Sequence, residues 1–390
     1  MTFTHAGPRS YRWTILGAGV VAQASFSAIL FGLAAIAPAI RREYDLTLTE
    51  VGVVLAALNF GLIATLLVWG IVADRIGERA VLAAGLFGCS AAIAAAAYTS
   101  SFAGLVIALV AAGALGGGTQ TASGRAVMRW FGPDERGLAL GIRQTAVPLG
   151  GAIAAVSLPA LDRHVSLRAA FLALAGGCLV AAAIGAGLLR AETGEDQGEL
   201  GRPLRDPRIW RLGVGSTFYV ATQVSVVGFL VLFLHDERRV SNGAAAAALA
   251  VTQVLGGIAR IGAGRWSDRL RARVAPLRRL GLLLALATAV AALLVHASLW
   301  LLLPALVVAG TLALSWNGLS FTAAAETAGR ARSGAAIGLQ QTFLAVGGLV
   351  APIAFAALVH ASSWRVAFVA TAVCPLAGYA LLSPLAERSP

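Results

Sequence analysis

Long apolar blocks follow one another along this chain, and each is long enough to cross a lipid bilayer. A transmembrane helix needs about 20 apolar residues, and twelve such segments occur here. Only 12% of the residues are charged, against about 25% in a soluble domain. We therefore predict an all-α integral membrane protein with twelve transmembrane helices. The segments span residues 13–40, 50–73, 80–99, 102–129, 137–161, 168–189, 211–234, 243–266, 279–296, 298–324, 334–360 and 364–384.

The longest polar stretch lies between the sixth and seventh segments and reads AETGEDQGELGRPLRDPR. Its glycines, proline and mixed charge are typical of a linker. We predict a six-helix N-terminal half over residues 1–190, a cytoplasmic linker over 191–210 and a six-helix C-terminal half over 211–390.

Arginine predicts the orientation, because loops on the cytoplasmic side of a membrane protein are enriched in basic residues. If the N-terminus is cytoplasmic, the loops and ends on that side hold twenty arginines and the opposite loops hold seven. The chain is therefore expected to be a multi-pass protein of the inner (plasma) membrane with both termini in the cytoplasm.

Several function classes are disfavoured by the composition. The net charge of +12 suits cytoplasmic loops, and no soluble domain is large enough to present a nucleic-acid-binding face. Cys89, Cys178 and Cys374 lie in apolar blocks without metal-ligand spacing. No nucleophile, metal cluster or pair of acids occurs within the membrane segments. We expect neither an enzyme nor a cofactor or metal site, and we expect a monomer.

The two halves contain matching sequences. GIRQTAVPLGG, Gly141 to Gly151, aligns with GLQQTFLAVGG, Gly338 to Gly348, with five of eleven positions identical and a separation of 197 residues. GIVADR in the loop after the second segment aligns with GRWSDR after the eighth, 194 residues later. This repeat predicts two pseudo-symmetric six-helix halves, a plan in which secondary transporters bind their substrate near the midplane between the halves.

The loop between segments two and three resembles the signature motif of the major facilitator superfamily. It reads GIVADRIGER from Gly70 to Arg79, and a degenerate copy occupies Gly264 to Arg269. The resemblance implies a carrier that works by alternating access, with this loop latching one conformation; the alternative is an ordinary charged loop. We expect Asp74 to accept hydrogen bonds from a neighbouring helix N-terminus and to attract Arg129 or Arg136. The predicted latch comprises Gly70, Asp74, Arg75, Gly77, Arg79, Arg129, Asp268 and Arg269.

Three arginines lie inside apolar segments, and two of them are deep. At ~1.5 Å per residue, Arg143 is ~10 Å and Arg260 ~12 Å from the cytoplasmic edge. Such a cation costs at least ~2.5–3.5 kcal/mol to insert and usually faces a partner or a wet cavity. The acid nearest to them along the segments is Glu326, at the cytoplasmic end of the tenth segment, so an anionic substrate would supply the missing charge. The alternative is a structural role, with each arginine bonded to carbonyls or glutamines.

The third arginine, Arg125, precedes Arg129 by four residues, and we expect it to reach the interface or to meet Asp74. The stretch from Gly256 to Arg260 resembles segment eight of the oxalate and monocarboxylate carriers. That resemblance implies that Arg260 contacts a substrate carboxylate. The oxalate carriers have a lysine in segment eleven. This chain has Gln340 in the comparable stretch, and its second cation is Arg143, the repeat mate of Gln340.

Polar side chains near the arginines complete the predicted site. Tyr219 and Gln223 are four residues apart and share a helix face, and Trp316 is expected to wall an apolar part of the substrate. For each one, a hydrogen bond to a neighbouring helix is an equal alternative. The predicted substrate-binding set is Arg143, Arg260, Gln23, Gln144, Tyr219, Gln223, Trp316, Asn317, Gln340 and Gln341.

The sequence therefore predicts a secondary active transporter of a small mono- or dicarboxylate, working by alternating access. No carboxylate lies mid-membrane to relay protons, so the anion could itself carry the proton or be exchanged for a counter-anion. His235 and Asp236 are a weaker candidate for a proton gate. The alternative is an exporter of amphipathic drugs or metabolites by proton antiport, in which the arginines serve structure or gating.

Overall fold

The computed structural model describes residues 10–189 and 205–385, and nearly all of them are helical. Twelve helical stretches are long and apolar enough to span a membrane, which confirms the predicted fold class. The helices are α1 (Tyr11–Ala35), α2 (Ala37–Glu43), α3 (Leu48–Ile76), α4 (Glu78–Ala96), α5 (Phe102–Trp130), α6 (Arg136–His164), α7 (Leu167–Leu188), α8 (Pro207–Gly228), α9 (Leu230–Leu232), α10 (Asn242–Leu270), α11 (Val274–Leu293), α12 (Leu299–Ser315), α13 (Asn317–Ala328), α14 (Ser333–Ala361) and α15 (Trp364–Leu382).

The chain divides into two compact units. Unit 1 comprises Met1–Gly132, Arg143–Gly201 and Ala328–Leu339, and unit 2 comprises Pro133–Ile142, Arg202–Thr327 and Gln340–Pro390. Unit 1 is thus most of the predicted N-terminal half together with the start of α14. Unit 2 is most of the predicted C-terminal half together with the start of α6. Most of the predicted linker, residues 191–204, lies outside the described residues.

Close packing of α3 against α5 organises unit 1. A Cβ atom on Gly61 would collide with the backbone of Val110 and Ala114, and one on Gly113 would collide with that of Leu58. The Ala114 carbonyl accepts hydrogen bonds from two side chains of α3, at 2.8 Å and 2.6 Å. Small residues of this kind let membrane helices approach backbone to backbone.

We expect Gly61→Ala to lower the free energy of unfolding by about 1–3 kcal/mol, the usual cost of overpacking. The reason is that its new methyl group meets backbone, which cannot move aside. Gly52→Ala is the matched control on the same helix, because no atom lies within 4 Å of its Cβ position. Denaturant unfolding of the purified protein measures both variants, and equal stability of the two would contradict close α3–α5 packing.

A break at Trp316 divides the tenth predicted segment, residues 298–324, into α12 and α13. No helical hydrogen bond spans Trp316, so the first backbone N–H groups of α13 have no helical acceptor. The carbonyl of Leu314, just before the break, instead accepts a hydrogen bond of 2.8 Å from Arg260 Nε. The seventh segment is likewise interrupted, since α8 ends at Gly228 and a π-helical turn over Phe233–Glu237 follows α9.

Candidate functional site

Arg143 of α6 is completely buried in unit 1, with 0% of its surface exposed. Its Nε donates to Ser123 Oγ at 2.8 Å and its Nη1 to Gln144 Oε1 at 3.0 Å. Its Nη2 donates to Gln23 Oε1 at 3.0 Å and to the Gln120 carbonyl at 2.6 Å. Every acceptor is a neutral oxygen.

These bonds use four of the five guanidinium N–H groups and leave the charge uncompensated. Among the described residues no carboxylate pairs with Arg143. Glu326, the acid at the cytoplasmic end of the tenth segment, pairs instead with Arg273 at 3.0 Å and with Arg136 at 3.6 Å in unit 2. A buried cation that is hydrogen-bonded but has no ionic partner keeps an uncompensated positive charge, which an anion can neutralise.

The same framework recurs in unit 2 without the charge. Gln340, the repeat mate of Arg143, donates to Ser320, which is itself 197 positions after Ser123. In the N-terminal half, a polar side chain of the fifth membrane segment thus donates to a serine of the fourth. In the C-terminal half, a polar side chain of the eleventh segment donates to a serine of the tenth. Sequence reasoning missed both serines, although the repeat separation points to them.

Arg260 of α10 is 4% exposed and lies beside the break between α12 and α13. Besides the bond to the Leu314 carbonyl, its Nη2 donates to Asn317 Oδ1 at 3.4 Å. Asn317 is the first residue of α13, whose free N–H groups carry the partial positive charge of a helix N-terminus. Arg260 and the helix end thus make this part of unit 2 electropositive.

The other predicted substrate residues fall into distinct surroundings. Gln23 and Gln144 contact Arg143, as described above. The rings of Tyr219 and Trp316 meet edge to face with centroids 5.6 Å apart, and the Tyr219 hydroxyl lies against Gly281 of α11. Gln223 and Gln341 are half-buried on α8 and α14.

The predicted latch residue Asp74 caps the start of α14 within unit 1. Its carboxylate accepts from the backbone N–H groups of Gly334 at 2.9 Å and Ala335 at 2.7 Å. Its charged partner is Arg125, at 3.0 Å, which is one of the two alternatives expected for Arg125; the expectation that Asp74 attracts Arg129 or Arg136 was wrong. Arg125 takes this place because it lies one helical turn deeper than Arg129 on α5.

Glu78 extends this cluster and was not singled out from the sequence. It is buried and forms ion pairs with Arg125 and, at 3.7 Å, with Arg129. Gly77, just before it, has a φ of 86°, a conformation that favours glycine. Arg75 and Arg79 are exposed, and Arg79 donates to the Ala186 carbonyl at 2.7 Å.

A repeat-related cluster occupies unit 2. Asp268 accepts from the N–H groups of Gly137 at 2.9 Å and Leu138 at 2.8 Å, at the start of α6. Its partner is the buried Arg273, at 2.5 Å, which follows Arg79 by 194 positions. Arg269 is exposed.

His235 and Asp236 are half-exposed and 4.0 Å apart. No group of three or more potential metal ligands occurs among the residues that the structure describes.

Comparison with known proteins agrees with this architecture. Residues 16–352 match the family model of the Major Facilitator Superfamily. An uncharacterised transporter of that type from Mycobacterium tuberculosis is 32% identical, over 95% of this chain and 84% of its own length. A probable sulfoacetate transporter of Cupriavidus necator is 32% identical over 35% of this chain and 32% of its own length. The human organic anion transporter MFSD10 shares the fold, with a TM-score of 0.77 at 16% identity, over 97% of this chain and 100% of that one.

Proposed function

Because this chain belongs to the major facilitator superfamily, a family of secondary transporters and not of enzymes, we propose that it carries a small organic anion. The proposed substrate is a mono- or dicarboxylate, and Arg143 and Arg260 supply the positive charge that binds it. The proposed orientation keeps both termini in the cytoplasm, as the arginine distribution predicts.

The burial of Arg143 is the observation that carries this proposal. Its guanidinium lies in a membrane-spanning helix, shut off from water, and donates only to neutral oxygens. Intramembrane charge of this kind is expensive and is normally retained for function. A carboxylate that replaces some of these neutral acceptors offsets the cost, because it accepts two parallel hydrogen bonds from the guanidinium fork and neutralises its charge.

Two further observations support the proposal. Arg260 and the N-terminus of α13 make a second electropositive place, and helix N-termini bind carboxylates through their free N–H groups. One similar protein is named for an anion, the probable sulfoacetate transporter. We propose that the anion is coupled to a proton that it carries or to a counter-anion, since the sequence places no carboxylate mid-membrane to relay protons.

The competing function is export of amphipathic drugs or metabolites by proton antiport. The observation that favours it is the set of neutral oxygens around Arg143, which accepts from four of its five N–H groups without a ligand. In that case the arginine would hold α1, α5 and α6 together and would not contact a substrate.

A thermal-stability panel on the purified protein tests the proposal against this rival. A ligand that binds only the folded state raises the melting temperature according to its concentration over Kd. We expect mono- or dicarboxylates to stabilise the protein and lipophilic cations to have no effect. Stabilisation by lipophilic cations alone would favour the exporter.

A further inference from the structure

The first turn of α13 gathers polar side chains from three other helices of unit 2. Arg260 of α10 donates to Asn317 at 3.4 Å, and Gln340 of α14 donates to Ser320. Ser320 also shares a hydrogen bond of 2.8 Å with Ser216 of α8. Because residues three apart lie on one helix face, about 5–6 Å between Cβ atoms, Arg260 and Gln340 approach α13 one turn apart.

Two buried polar atoms beside this turn have no hydrogen-bond partner among the described residues. One is Nε1 of Trp316, a donor on a side chain that is 1% exposed, and the other is Oε1 of Gln340, an acceptor on a side chain that is 0% exposed. Trp316 directly precedes α13, and Gln340 contacts Ser320 in the first turn of that helix, so both side chains lie at the same end of α13. Buried polar groups are normally paired, and each exception calls for an explanation.

We infer that the transported anion carries a hydroxyl group next to its carboxylate, and that this hydroxyl binds between Trp316 and Gln340. The inference rests on the proposed function, with Arg260 holding the carboxylate. A hydroxyl accepts one hydrogen bond and donates another. It therefore accepts from Trp316 Nε1 and donates to Gln340 Oε1, which satisfies both atoms at once.

Other substituents satisfy this pair less well. A second carboxylate only accepts, so it would leave Gln340 Oε1 unpaired. An ammonium group only donates, so it would leave Trp316 Nε1 unpaired, and Arg260 would repel it. A methyl group satisfies neither atom. The Tyr219 hydroxyl also lacks a partner, but it lies against Gly281 of α11, so we give it no part in the site.

The test compares matched carboxylates on the purified, full-length protein by calorimetric or thermal-shift titration. The pairs are glycolate with acetate, lactate with propionate, and malate with succinate. We expect the hydroxylated member of at least one pair to bind about tenfold more tightly, because the analogue leaves two buried polar atoms unpaired.

Gln340→Leu and Trp316→Phe each remove one of the two polar atoms and keep an apolar side chain. We expect both to reduce the tenfold preference to about one, whatever their effect on the affinity for the unhydroxylated member. Thr288→Val is the matched control, because its buried hydroxyl on α11 also lacks a partner, and it should keep the preference.

Equal binding of both members to the wild type would overturn the inference while leaving the carboxylate carrier in place. A preference that persists in either folded variant would overturn it as well. If no carboxylate of either kind binds the wild type, the proposed function itself fails.

Discussion

Replacing Arg143 by glutamine is expected to abolish carboxylate transport in proteoliposomes while the protein stays folded. Loss of one partner from a buried charge pair costs about 2–5 kcal/mol, which lowers the affinity at least about 30-fold. Folding should be retained, because Gln340 occupies the repeat-equivalent place in unit 2 and bonds the equivalent serine. Transport is measured as uptake of a radiolabelled carboxylate that stabilises the wild type.

Two further substitutions separate charge from shape. Arg143→Lys keeps the charge but loses the planar fork, so we expect intermediate uptake. Arg163→Gln is the matched control, since Arg163 is exposed at the other end of α6 and should transport like the wild type. Wild-type uptake by a folded Arg143→Gln protein would show that the arginine is structural.

The second large effect is expected from Glu78→Gln, which should lower the free energy of unfolding by about 3 kcal/mol. Removing one member of a buried ion pair leaves an uncompensated charge, at about 3–5 kcal/mol. The lower end applies here, because Asp74 still pairs with Arg125 at 3.0 Å. Arg129 would lose the carboxylate that lies 3.7 Å away. Denaturant unfolding of the purified protein gives the measurement.

Asp206→Asn is the matched control for this carboxylate. Asp206 pairs with Arg208, but the two side chains are 23% and 63% exposed, and such surface pairs contribute about 0–1 kcal/mol. Asparagine also keeps the N-cap of α8, where Asp206 accepts from the Arg208 N–H at 2.9 Å. If Glu78→Gln were no more destabilising than Asp206→Asn, the ion pairs of Glu78 would not hold unit 1 together.

The helices could be predicted from the sequence because the bilayer demands long apolar runs. The fourth segment, predicted over 102–129, is the helix Phe102–Trp130, and the fifth, predicted over 137–161, is Arg136–His164. Arg143 stood out for the same reason, since a charge in an apolar run is conspicuous. The repeat was equally visible, because it depends only on residue identity.

The partners of the charged residues were harder to predict. The loop and helix end from Arg265 to Arg279 hold six arginines, and hydropathy does not tell which of them is buried. Arg273 is the buried one. It pairs with Asp268, which lies near it in the same loop region, and with Glu326, which is distant in sequence. The break at Trp316 was missed because no proline lies there, and apolar composition continues through it.

An experimental structure with a bound brominated carboxylate tests most directly whether Arg143 binds the substrate. The ligand is one that stabilises the protein, and its bromine is located by anomalous scattering. We expect a bromine peak whose attached carboxylate lies within hydrogen-bond distance of the Arg143 guanidinium. A ligand bound elsewhere, with Arg143 still donating only to Ser123, Gln144, Gln23 and the Gln120 carbonyl, would contradict this expectation.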